Sequence, residues 1–199
     1  MRLSPARSAA GPLVFWCLAV AGPAFAEGGT VAGKVEANPA KELKETVVYL
    51  TGGSPGAGTP KTAVMNQKHL RFIPHVLAVT VGDSVKYENS DTVSHNVFSP
   101  DISPYNLGTF KPGESRTHTF DQPGAYTQLC SLHPEMLAYV YVAPTPYHAV
   151  VQPDGTFRIR DVPAGDWQVA IWSVHLKAAA QPVTVAAGKT ARVSFSLTR

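Results

Sequence analysis

The sequence predicts an all-β protein made of two β-sandwiches. After Glu27, short runs rich in Val, Thr, Tyr and Phe follow one another, separated by Gly, Pro, Asn and Asp. No sustained helical periodicity interrupts this pattern, and only one helical turn is predicted, at residues 174–180. Short strands at regular spacing are typical of sandwiches.

The predicted strands divide at about residue 143. Those before it are residues 30–35, 46–50, 76–81, 84–88, 115–119, 124–129 and 139–142. Those after it are residues 149–151, 156–159, 165–172, 181–185 and 191–197. In the second group, Asp154-Gly155 predicts a hairpin turn and Pro163-Ala164-Gly165 a second tight turn. The large side chains Phe157, Trp167 and Trp172 are predicted to fill the core of the second sandwich.

Residues 1–26 have the pattern of a signal peptide cleaved after Ala26. Arg2 and Arg7 form a basic start, an apolar run follows, and Ala24-Phe25-Ala26 is a cleavage site of small residues. The apolar run is short for a membrane span, although a retained N-terminal anchor is the alternative. We therefore expect a periplasmic or secreted protein with no membrane span once the signal peptide is removed.

The composition after residue 26 argues against nucleic acid as a partner. The leader carries two of the 17 basic residues and none of the 14 acidic ones, so the remaining chain is close to neutral. It has no basic run interleaved with aromatic residues. Cys130 becomes its single cysteine, and a free thiol in an oxidising compartment is a liability unless it is buried or holds a metal.

Three candidate metal ligands fall within seven residues: Cys130, His133 and Met136. His95 lies upstream and must reach the same place through the fold. One thiolate, two imidazoles and a weakly bound thioether are the ligands of a blue-copper electron-transfer site. The order of these residues and the short loop both agree with one type 1 copper ion. Pro134 is expected to stiffen the loop.

This segment resembles the cupredoxin family, and the amicyanins in the length of its ligand loop. Beyond the ligands, the likeness rests on the strand sequences around Phe72-Ile73-Pro74, Gly124-Ala125-Tyr126 and residues 138–142. It covers residues 61–143. It implies a Greek-key sandwich, a role for Asn96 in tying the His95 loop to the cysteine loop, and an exposed edge on His133. It also implies a redox partner of the dehydrogenase or cytochrome c type, as in methylamine utilization.

The C-terminal part, residues 144–199, resembles a carboxypeptidase-regulatory-like, transthyretin-type β-sandwich. The opening strands of that family are found far upstream, at residues 30–35 and 47–50. We therefore predict a discontinuous sandwich built from residues 27–52 and 145–199, with the copper domain inserted between two turn-rich crossings. In the alternative, residues 27–60 extend the cupredoxin sheet.

Other histidines carry weaker signals. Met65, His69 and His75 form a loose possible copper set, in which His75 is more simply explained as the start of a strand. His118, His148 and His175 are interpreted as ordinary surface or half-buried residues.

The sequence thus predicts a monomer that carries single electrons and is not itself an enzyme. One alternative is a protein that binds or delivers copper without redox cycling. Another is a β-sandwich that binds a protein partner or a carbohydrate. Cys130 favours the electron carrier, because a delivery protein in an oxidising compartment would more naturally use Met and His, whose oxidation is less damaging.

Overall fold

A computed structural model describes residues 27–55 and 58–199 of the chain. The predicted signal peptide, residues 1–26, lies outside the described residues. Within them the protein is nearly all β, which confirms the predicted fold class. One short 3₁₀ helix, Ala40–Glu45, connects the first two strands.

The strands fall into three groups along the chain. Two come first: β1 (Gly29–Ala37) and β2 (Thr46–Gly52). The middle group contains the predicted copper ligands: β3 (Thr62–Gln67), β4 (Phe72–Ile73), β5 (Val76–Thr80), β6 (Ser84–Asn89), β7 (His95–Ser99), β8 (Tyr105–Phe110), β9 (Ser115–Thr119), β10 (Gly124–Leu129) and β11 (Leu137–Ala143). The last group is β12 (His148–Val150), β13 (Thr156–Val162), β14 (Gly165–Ser173), β15 (Gln181–Val185) and β16 (Thr190–Leu197).

The middle group forms one sandwich. Its sheets have the strand orders β5-β11-β10-β7-β8 and β4-β3-β6-β9. Alternate side chains of both sheets meet in a single apolar core that includes Met65, Tyr87, Tyr126 and Val140. Burying these side chains is the main favourable term in the stability of the sandwich.

The remaining strands form a second sandwich, with the sheets β13-β1-β16 and β12-β2-β14-β15. β1 pairs with β16 in parallel and with β13 in antiparallel, while β2 lies between β12 and β14. The strands of residues 27–52 are therefore inner strands of sheets whose other members come from the C-terminal part. Gly33 allows β1 to approach β16, because a Cβ there would lie 1.7 Å from the carbonyl oxygen of Val193. The exact domain boundaries stay a prediction.

The two sandwiches share an apolar interface, so the four sheets stack in layers. Val48 and Leu50 of β2 face the core of the second sandwich, whereas Val47 packs with Val76 and Tyr141 of the first. β2 is thus buried on both faces. This explains why residues 47–50 form a continuous apolar run instead of alternating with polar residues.

The structure corrects two sequence predictions. Residues 174–180 do not form a helical turn: Val174 donates its N–H to the carbonyl of Glu45, and Lys177 exchanges backbone hydrogen bonds with Thr198. Backbone groups committed to other segments cannot make local helical bonds. Trp172 is only partly buried and stacks on Tyr141 at the interface between the sandwiches, while Phe157 and Trp167 lie in the predicted core.

Candidate metal centre

The loop between β10 and β11 carries three of the four predicted ligands. β10 ends at Leu129, which pairs with Leu137 at the start of β11, so residues 130–136 form a closed loop. Within the loop, the N–H of Met136 donates to the carbonyl of His133 over 3.0 Å. The register of two antiparallel strands therefore holds Cys130, His133 and Met136 close to one another.

His95 reaches this loop from the neighbouring strand. It is the first residue of β7, which lies beside β10 in the same sheet, and its side chain is fully buried. Its Nδ1 lies 3.1 Å from Nδ1 of His133, and Sγ of Cys130 lies 3.8 Å from the same His133 nitrogen. The structure thus brings together three residues that are separated by up to 38 positions in the sequence.

Cys130 has the surroundings of a metal thiolate. It is buried and is the free cysteine of the described residues. The backbone N–H of Asn96 points to Sγ over 3.3 Å. A donor aimed at the sulfur stabilises the negative charge of a thiolate, which is the form that binds metal.

The side chain of Asn96 ties the two ligand segments together. Its Oδ1 accepts hydrogen bonds from the backbone N–H and the hydroxyl of Ser131, at 3.3 and 3.0 Å. Its Nδ2 donates to Oδ1 of Asn106 in β8 over 2.8 Å. Asn96 therefore connects the start of β7, the cysteine loop and the neighbouring strand β8, and its role beside a copper ion stays a prediction.

Asp91 is a site residue that the sequence analysis missed. Its Oδ2 lies 3.1 Å from Nε2 of His95. Hydrogen bonds from the backbone N–H groups of Leu70 and Thr92, together with His95, lower the pKa of Asp91 to about 2. Because this carboxylate only accepts hydrogen bonds, it holds the proton of His95 on Nε2 and leaves the lone pair of Nδ1 facing the loop. Nothing in the sequence signals this contact, because a spacing of four residues brings side chains together in a helix and not in the bend that precedes β7.

Met136 is buried in the same apolar cluster as Cys130. Its role as the axial ligand stays a prediction.

The geometry of the other three candidates fits a single metal ion. Imidazole nitrogen binds transition metals at about 2.0 Å and thiolate sulfur at about 2.3 Å. Two nitrogens that share an ion can then be no more than about 4 Å apart, and a nitrogen and a sulfur no more than about 4.3 Å. The observed 3.1 and 3.8 Å lie within these limits. His95, Cys130 and His133 could therefore hold one ion.

Two family models match parts of the chain. Residues 59–143 match the family model of copper binding proteins of the plastocyanin/azurin family. A second model, domain II of polysaccharide lyase family 4, matches residues 123–193 and overlaps the end of the first. Residues 59–143 are therefore similar to copper binding proteins of the plastocyanin/azurin family, and the structure has a second β-sandwich beside them.

Several solved structures are similar over part of the chain. A purple cupredoxin from Nitrosopumilus maritimus is 28% identical, with a TM-score of 0.38, over 40% of this chain and 98% of that one. A copper-containing nitrite reductase from Thermus scotoductus is 26% identical, with a TM-score of 0.39, over 46% of this chain and 24% of that one. A Cu(I) structure of an amicyanin variant is 25% identical, with a TM-score of 0.39, over 41% of this chain and 81% of that one.

None of the helices in residues 27–55 and 58–199 has the length and apolar character needed to cross a membrane.

Proposed function

We propose that this protein is an exported type 1 copper protein that carries single electrons between redox partners. One copper ion would be held by His95, Cys130, His133 and Met136. The observation that carries the proposal is the convergence of two imidazole Nδ1 atoms and a buried cysteine sulfur within 3.1 and 3.8 Å. Two imidazoles, a thiolate and a long thioether contact are the donor set of blue-copper electron transfer.

The residues around the ligands would hold them still while the charge of the site changes. Copper, when bound, supplies the one-electron couple between Cu(II) and Cu(I). Asp91 orients His95, and Asn96 links the cysteine loop to β8. Ligands fixed in this way rearrange little on reduction, which favours fast electron exchange.

His133 offers a path for the electron to the surface. Its side chain is partly exposed, whereas His95 is fully buried. Exposed apolar side chains lie within two residues of a ligand in the sequence: Val93, Leu132 and Leu137. Exposed apolar side chains close in sequence to a partly exposed ligand suit brief contact with a redox protein. We infer a partner of the dehydrogenase or cytochrome c type and a carrier that has no catalysis of its own.

Protein-film voltammetry on the copper-loaded chain tests this role against copper delivery. An electron carrier is expected to give a reversible one-electron wave that persists over many cycles, with one copper per chain retained at the end. A delivery protein would instead lose copper on reduction, and the wave would decay. Such a decay would contradict the proposed function.

The proposed location has a separate test. We expect the protein in the periplasmic or culture fraction, with a mature N-terminus at Glu27. Recovery with residues 1–26 still attached would contradict cleavage after Ala26.

A further inference from the structure

A second group of metal-ligating side chains lies outside the copper site. The 3₁₀ helix carries Glu42 and Glu45, and the segment after β14 carries His175. Nε2 of His175 lies 3.9 Å from Oε2 of each glutamate. The other oxygen of Glu45, Oε1, lies 3.0 Å from Nε2 of His75, which immediately precedes β5. The sequence analysis had treated His175 as an ordinary surface or half-buried residue and had explained His75 as the start of a strand.

The carboxylates of Glu42 and Glu45 are largely buried beside histidines. The side chains of Glu42 and Glu45 are only 11% and 15% exposed. Among the described residues, no lysine or arginine lies within ion-pair distance of either carboxylate, and only the two histidines do. Burying two neighbouring carboxylates is costly unless a cation is bound between them.

We propose that Glu42, Glu45 and His175 bind a divalent transition-metal ion, for which Zn²⁺ is the most convenient probe. Zinc binds imidazole nitrogen at about 2.0–2.1 Å and carboxylate oxygen at about 2.0–2.2 Å. A nitrogen and an oxygen on one ion can therefore be about 4.2 Å apart, and the observed separations are 3.9 Å. Two carboxylates and one imidazole are a donor set that Zn²⁺ and Cu²⁺ both accept.

A positioning histidine and an open cleft lie beside the three proposed ligands. His75 contacts the Glu45 oxygen that faces away from His175, so it would orient this carboxylate as a positioning residue. An open cleft of about 350 Å³ is lined by Pro39, Glu42, His175, Leu176 and Arg199. This cleft gives the ion access and leaves room for water as the fourth ligand. Arg199 also lines the cleft, and its positive charge would oppose the binding of a cation.

A metal ion here would join two segments of the chain directly and a third through the contact of His75 with Glu45. The 3₁₀ helix and the end of β14 belong to the second sandwich, and His75 belongs to the first. The His75 carbonyl also accepts the N–H of Tyr139 in β11, three residues after Met136. The site would thus stabilise the junction of the two sandwiches without contributing a ligand to the copper centre.

Zinc uptake by the full chain tests this site. The chain is first loaded with one equivalent of copper, then dialysed against Zn²⁺, and the bound metals are measured by mass spectrometry. We expect one zinc per chain and an unchanged visible spectrum. His175→Ala should remove this zinc without unfolding the protein, because its side chain is 59% exposed. His75→Ala should weaken zinc binding by about tenfold or more.

Controls separate this site from the copper centre. His69→Asn changes an exposed histidine outside both groups and should leave zinc uptake unaltered. The Cys130→Ser chain, treated in the same way, should lose the copper–thiolate colour and keep the His175-dependent zinc. This result does not depend on the proposed electron-carrier function. Absence of retained zinc in the wild type, or equal retention in His175→Ala, would overturn the proposal.

Discussion

Replacing Asn96 with Ala tests how the two ligand segments are held together. The substitution removes three side-chain hydrogen bonds, two from Ser131 and one to Asn106. Each such bond contributes about 0.5–1.5 kcal/mol to stability. Ser131 and Asn106 are exposed, so water can replace part of the loss. We therefore expect a loss of about 2 kcal/mol, at the lower end of the range for three bonds.

The assay is urea unfolding of the copper-free protein, supported by thermal melting. A loss of about 2 kcal/mol corresponds to a decrease of about 4–8 °C in Tm for a chain of this size. Ser131→Ala is the matched control, because it removes one of the three bonds and should cost about 1 kcal/mol or less. The backbone N–H of Asn96 still faces Cys130 in the variant, so the copper colour should persist. If Asn96→Ala were as stable as the wild type, the proposed tie between the loops would be wrong.

Three further predictions concern the axial ligand, pH and the chain crossings. Met136→Leu should keep a coloured copper site and raise its reduction potential, because a weak donor to Cu(II) is lost; an unchanged potential in voltammetry would exclude Met136 as a ligand. Burial lowers the pKa of His148 below its ordinary value, so the unfolded chain binds more protons below about pH 6.5 and stability should fall there. His148→Gln should flatten this part of the curve of unfolding free energy against pH, and an equally steep curve would refute the assignment. A fragment of residues 144–199 lacks β1 and β2 and should aggregate on size-exclusion chromatography, whereas a folded monomer would argue against the discontinuous sandwich.

The ligand loop was predictable because its information is local. Cys130, His133 and Met136 are separated by two residues each, and the strands on either side have clear apolar patterns. The sequence around His95 does not by itself identify it as a ligand, and the resemblance of residues 61–143 to the cupredoxins was needed. Its approach to His133 depends on the pairing of β7 with β10, which are distant in the chain. Asp91 was missed because the backbone of a distant residue, Leu70, helps to position its carboxylate.

The contacts between the sandwiches were the least predictable part. Trp172 resembles any core aromatic residue in the sequence, and only the stacking of two sheets places it against Tyr141. His175 was treated as isolated because its glutamate neighbours lie 130 positions or more away in the chain. Patterns of period two identify strands, but they do not say which outer face will meet another sheet.

The most direct test of the central claim is the visible absorption spectrum of the chain loaded with Cu(II). The account predicts one copper per chain and an intense charge-transfer band from the Cys130 thiolate, together with the loss of that band in Cys130→Ser. A colourless Cu(II) complex of the wild-type protein, or a band that survives in Cys130→Ser, would contradict it.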